Sequence, residues 1–312
     1  MTNSTQTRVK PARISFLDKY IPLWIILAMA IGLFLGRSVS GLSGFLGAME
    51  VGGISLPIAL GLLVMMYPPL AKVRYDKTKQ IASDKHLMGV SLILNWVVGP
   101  ALMFALAWLF LPDQPELRTG LIIVGLARCI AMVLVWSDMS CGDREATAVL
   151  VAINSVFQVA MFGALGWFYL QVLPSWLGLP TTTAQFSFWS IVTSVLVFLG
   201  IPLLAGVFSR IIGEKIKGRE WYEQKFLPAI SPFALIGLLY TIVLLFSLQG
   251  DQIVSQPWAV VRLAIPLVIY FVGMFFISLT ASKLSGMNYA KSASVSFTAA
   301  GNNFELAIAV SI

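Results

Sequence analysis

An arginine and a cysteine stand side by side in the apolar run GLARCIAMV (125–133), and two asparagines precede a glutamate in AAGNNFELAIAV (299–310). A deprotonated thiol bonds soft ions. Arg128 and the positive end of a helix that restarts after the break both favour the thiolate of Cys129. One thiol holds such an ion weakly and reversibly where several would trap it, which suits a carrier. Glu305 can take up and release a proton, and Asn302 and Asn303 supply amide donors and acceptors. Plainer roles compete with these. Cys129 could be a small apolar packing residue, and Arg128 could form a structural pair with Glu305 or with a backbone carbonyl.

The elements that must position these groups are membrane helices. The 312 residues are 58% hydrophobic and only 11% charged, with a mean hydropathy of +0.86, too apolar for a soluble chain of this length. The apolar stretches run continuously without alternating, which points to helices rather than a barrel. Nine spans are expected, at roughly 20–37, 53–71, 86–111, 117–138, 145–173, 186–212, 226–248, 257–281 and 288–312. LPDQPE, LPSWLGLPTTT and SLQGDQ mark the gaps after the third, fifth and seventh spans. Within the spans, Arg128 and Glu305 are the ionised groups that stand clearly inside.

The net charge of +7 could suggest nucleic acid, but the basic residues alternate by loop. All 21 Lys and Arg except Arg37, Arg118, Arg262 and the intramembrane Arg128 fall on one side. That asymmetry places the N-terminus in the cytoplasm and argues against a nucleic-acid partner. Residues 1–19 lack an apolar segment and read as a cytoplasmic tail, not a signal peptide. Two cysteines and one histidine, His86, exclude a Cys/His metal cluster, and no cofactor is required.

Cys129 and Asn303 lie 174 positions apart, and the first and sixth spans are offset similarly. The chain therefore reads as a first five-span repeat over 20–173 and a second over 174–312. An odd number of spans makes the copies inverted. By this arithmetic the second unit stops after its fourth span, so a tenth helix is expected to be missing after Ile312. Both repeats carry a small-residue, polar break. Gly125 with Ala127, and Gly301 with Asn302 and Asn303, provide the flexibility and amides for unwinding, and a matched pair of broken helices points to a midplane site. Tight packing at small residues is the alternative for either helix alone. Asn95 in the third span, and Asn154, Ser155 and Gln158 in the fifth, either line a path or hydrogen-bond between helices. Cys141 reads as a loop residue, and the aromatic residues as belts and packing faces.

The runs MMYPPLAKVRYD (65–76), GLARCIAMVLVWSDMSCGD (125–143), VAINSVFQ (151–158) and AAGNNFELAIAVSI (299–312) closely resemble the arsenite permeases of arsenical resistance. Those belong to the bile acid, arsenite and riboflavin transporter superfamily. The resemblance implies an all-α integral membrane fold of ten helices in two inverted five-helix repeats. It further implies a panel domain and a core domain, with broken helices 4 and 9 crossing. Efflux of arsenite, and in some members antimonite, across the plasma membrane coupled to proton entry follows from it. The family's essential cysteine maps onto Cys129 and its essential glutamate onto Glu305. The partners expected are the metalloid, protons and the lipid bilayer, with homo-oligomerisation left open. A sodium-coupled symporter of organic anions such as bile acids is the rival transporter, predicting carbonyls and carboxylates at the crossing and no role for a thiol. An enzyme using Cys129 as an acyl acceptor would want a general base nearby, and His86 lies at the edge of another span.

Overall fold

The computed structural model describes residues 20–39, 41–51, 54–74, 81, 83–130, 132–181, 193 and 196–303. In order, the helices are α1 (Ile21–Ser38), α2 (Leu42–Ala48), α3 (Leu56–Ala71), α4 (Lys85–Phe110), α5 (Pro115–Leu126), α6 (Met132–Met139) and α7 (Arg144–Trp176). They continue as α8 (Leu196–Lys217), a helical turn at Arg219–Trp221 that leads through Tyr222–Phe226 into α9 (Leu227–Ser255), then α10 (Pro257–Leu284) and α11 (Tyr289–Ala300). A two-residue hairpin, β1 (Glu50–Val51) and β2 (Ile54–Ser55), precedes α3.

Helix ends follow local chemistry. Pro115 and Pro257 open α5 and α10, where a missing N–H costs nothing. Side-chain caps start α4, α7 and α11: Asp84 accepts from the Leu87 N–H, Asp143 from those of Glu145 and Ala146, and Asn288 from that of Lys291. Gly218, with φ of 83°, turns the chain out of α8. Four wide π-helical turns, at Leu94–Val98, Phe168–Val172, Leu196–Gly200 and Tyr222–Phe226, each end two residues before a proline: Pro100, Pro174, Pro202 and Pro228. A proline ring crowds the carbonyl four residues back and cannot donate to it. Widening the turn before it lets the helix continue.

The helices pack as two groups. In the first, α9 lies between α1 and α3, and α8 packs on α3. Gly32 and Gly36 of α1 allow that approach, since a Cβ on Gly32 would stand 2.6 Å from the Val243 carbonyl oxygen, and the Ser247 hydroxyl bonds the Gly32 carbonyl at 3.0 Å. In the second group, α4 packs on α5, while α11 lies against α10, α7 and α6. Large apolar side chains face outward, including Phe34, Phe208, Val268 and Phe276, as expected where lipid replaces water.

Most of the expected spans are found, with two corrections. SLQGDQ is not a gap, because α9 continues helically to Ser255 and breaks at Gln256. The fifth expected span, at roughly 145–173, is α7, which runs to Trp176. Arg128 is also not the one ionised group buried within the helix groups. Arg118 is buried in α5, donating to the Leu111 and Pro112 carbonyls with its guanidinium over the Trp108 ring, and Arg210 is buried in α8 among Glu214, Glu223 and the Ala71 and Lys72 carbonyls. Both stand near the ends of the expected spans 117–138 and 186–212, where the sequence does not show the carbonyls that satisfy them.

Candidate functional site

Two unwound stretches cross inside the second group. The helix α5 stops at Leu126 and α6 begins at Met132, while α11 stops at Ala300. Ala127 and Gly301 both have extended backbone, with ψ of 113° and 134°. Extended backbone needs hydrogen-bond partners from outside its own helix. Here each break supplies the other's: the Cys129 N–H donates to the Gly301 carbonyl at 3.1 Å, and the Asn303 N–H to the Ala127 carbonyl at 2.9 Å. The result is a single antiparallel bridge between Arg128 and Asn302.

The expected small residues are at the crossing, although for a different reason. Gly125 is helical, and a Cβ there would collide with Met103. A Cβ on Gly301 would stand 2.8 Å from the Cys129 Cβ. Both glycines provide space rather than backbone freedom.

Arg128 is 1% exposed. Its guanidinium donates to the Ala299 carbonyl and to the Tyr270 hydroxyl, both at 3.0 Å, and to the Gly125 carbonyl. Tyr270, from α10, passes a hydrogen bond of 3.4 Å to the same Ala299 carbonyl. Gly99 of α4 leaves room, since a Cβ there would lie 3.0 Å from both the Arg128 Nη1 and the Tyr270 hydroxyl. Of the two structural partners weighed for Arg128, backbone carbonyls are what the described residues provide. The Arg128 N–H is accepted by the Gln158 side-chain oxygen at 2.8 Å.

Cys129 is half-buried and adjoins this cluster. Asn303 is buried, its amide donating to the Met66 sulfur of α3 at 3.8 Å. That contact joins the two helix groups. Both amide atoms of Asn302 are buried and have no hydrogen-bond partner among the described residues, and the Gln158 Nε2 is in the same condition. Glu305 lies outside the described residues.

The other polar candidates point elsewhere. Asn154 donates to the Asn95 side chain at 3.2 Å and accepts from the Trp96 indole at 3.1 Å, while Asn95 also donates to the Ser91 carbonyl at 2.8 Å. Ser155 bonds back to the Val151 carbonyl at 2.8 Å. Among the described residues these three make no hydrogen bond to the crossing, whereas Gln158, one turn further along α7, does. Sequence reasoning missed Tyr270 and Gly99. Gly99 followed by Pro100 was a signal of close approach, but a tyrosine in an apolar run reads as packing.

The sequence profile of the sodium bile acid symporter family matches residues 59–256. Over all 312 residues the chain is 99% identical to the arsenical-resistance protein Acr3 of Corynebacterium glutamicum, covering 84% of that protein. It is 32% identical to an uncharacterized transporter of Synechocystis, with 96% of this chain and 81% of the relative aligned. An arsenical-resistance protein Acr3 of Alkaliphilus metalliredigens is 28% identical, with 96% and 84% aligned.

Proposed function

Because the chain belongs to the sodium bile acid symporter family, and within it to the arsenical-resistance permeases, we propose that it exports trivalent metalloid, arsenite and in some circumstances antimonite, from the cell in exchange for protons. It is a multi-pass membrane transporter and not an enzyme.

The observation that carries the site is the pair of amide atoms on Asn302 that have no partner among the described residues, directly after the residue whose carbonyl holds the Cys129 N–H. Buried polar atoms are ordinarily hydrogen-bonded, so an amide with no partner among the described residues, at the position paired with Arg128 in the crossing, suits a hydroxylated ligand. Neutral arsenous acid enters from the cytoplasm. Its arsenic bonds the Cys129 sulfur while one As–O bond breaks, and the lost hydroxyl leaves as water with the thiol's proton. Asn302 and Asn303 hydrogen-bond the two remaining hydroxyls. On the outer face the reverse step consumes one water and restores the thiol. Glu305 carries the exchanged proton, binding it outside and releasing it inside.

Supporting a ten-helix architecture of two inverted repeats, α5 and α11 both contain 12 residues and begin 174 positions apart. The helices α4 and α10 end at the same offset, at Phe110 and Leu284. The crossing bonds counterparts, since Arg128 pairs with Asn302 across that offset. The first helix group corresponds to the panel and the second to the core, and rocking of one against the other would alternate access to the crossing. The lysine and arginine distribution supports a plasma-membrane orientation with the N-terminus cytoplasmic.

Arsenite uptake by everted membrane vesicles containing the full-length protein tests this. Cys129→Ala is expected to abolish uptake, and uptake at the unaltered rate would overturn the thiol step. Glu305→Gln is expected to uncouple uptake from an imposed pH gradient; retained coupling would remove Glu305 from the proton path.

A further inference from the structure

The helices α5 and α11 both run into the crossing with their C-terminal ends. A helix C-terminus leaves carbonyls unbonded within the helix and carries roughly half a negative elementary charge. Two such ends together present about one. In carriers with broken helices, half-helix C-termini and unwound carbonyls are the groups that hold an exchangeable coupling cation. Here the Gly125 and Ala299 carbonyls, one from the last turn of each half-helix, both accept from the Arg128 guanidinium. The Tyr270 hydroxyl and the vacancy at Gly99 fit that group closely. No carboxylate among the described residues pairs with it, so within that set the balancing charge comes from the two helix ends.

We propose that Arg128 is a tethered cation that permanently occupies the place an exchangeable coupling cation would take at the crossing. It thereby sets the ion specificity of the carrier. A sodium ion finds the Gly125 and Ala299 carbonyls already engaged, so transport proceeds without sodium. This rests on the crossing being the transport site, but it concerns the fixed charge and not the metalloid.

The test uses the purified full-length protein without metalloid. Thermal unfolding of the wild type is expected to be the same in sodium and in choline chloride. Arg128→Ala is expected to unfold at lower temperature. Guanidinium ion at up to about ten times its dissociation constant should raise that midpoint saturably, by about 3 °C or more, while equimolar urea should not. Saturable stabilisation of the wild type by sodium would overturn the proposal, as would an Arg128→Ala protein indifferent to both guanidinium and sodium. Should Arg128→Ala fail to fold, Arg128→Lys retains the charge and is expected to remain insensitive to sodium; acquired sodium dependence would refute the assignment. Normal arsenite transport by Cys129→Ala alongside intact guanidinium rescue would instead sink the metalloid reading and leave this one standing.

Discussion

Gly301→Ala is the sharpest probe of the crossing, because a single methyl group would be forced between the two unwound stretches. The added Cβ would stand 2.8 Å from the Cys129 Cβ, 3.1 Å from the Phe297 carbonyl oxygen and 3.7 Å from the Cys129 sulfur. Carbon atoms rest comfortably at about 3.5–4.0 Å, so the two stretches must separate by roughly 0.7–1.2 Å. The Cys129 N–H bond to the Gly301 carbonyl is 3.1 Å long, and a retreat of that size takes it out of hydrogen-bond range. Overpacking strain of about 1–3 kcal/mol and a lost hydrogen bond of about 1 kcal/mol together give about 2–4 kcal/mol. If the binding-competent geometry bears the whole cost, arsenite uptake falls roughly 30- to 900-fold. Vesicle uptake measures the loss, and the protection of Cys129 from maleimide by arsenite should weaken with it. Gly120→Ala is the control, since a Cβ there meets nothing within 4 Å. Uptake and protection by Gly301→Ala indistinguishable from that control would refute the packing argument.

Tyr270→Phe removes one hydroxyl from the Arg128 guanidinium and should cost about 0.5–1.5 kcal/mol, while Gly99→Ala, which crowds the same two groups, should lower the unfolding midpoint further; equal midpoints would contradict the close fit. Gln158→Leu strips the acceptor from the buried Arg128 N–H and is expected to destabilise by about 1–3 kcal/mol, read as a lower unfolding midpoint at unchanged expression. The hydrogen bond from Arg262 holds Asp113, in the loop between α4 and α5, at a pKa of about 2. A depressed carboxylate contributes stability above its unfolded value of about 3.9 and loses it as pH falls through the folded value, so the pair should weaken only between about pH 4 and 2. Asp113→Asn should therefore leave the pH profile of uptake between 6 and 8 unchanged, and a shifted profile would place that carboxylate on the proton path.

The helices and the breaks were legible because both leave marks in sequence: long apolar runs give the spans, and a polar, small-residue interruption within one marks the unwinding. The two polar breaks were expected to meet, and the backbone bridge between Arg128 and Asn302 brings them together. What could not be read was which polar groups meet. Asn95, Asn154, Ser155 and Gln158 look alike along the chain, yet the first two satisfy each other, the third bonds its own helix and only Gln158 reaches the crossing. One helical turn separates these outcomes. The environment of Arg210 was hidden for a related reason, because the Ala71 and Lys72 carbonyls come from a segment adjacent only in the folded chain, whereas Arg118 turns back onto carbonyls just before its own helix. The glycines were recognised as exceptional, but the neighbour that forbids a side chain, Met103 for Gly125 and Cys129 for Gly301, is a tertiary fact.

The reciprocal bonds at the crossing also impose an order on biogenesis. The Cys129 N–H depends on Gly301, and Asn303 depends on Ala127, so neither unwound stretch is satisfied until both exist. At about 5–20 residues per second, the ribosome needs roughly 9–34 s to proceed from Cys129 to Gly301. Unwound during that interval, the earlier break would expose bare peptide groups that hydrocarbon does not tolerate. The nascent stretch between α5 and α6 must therefore wait in a helical form, or sheltered beside the translocation machinery, until the end of α11 arrives to complete it.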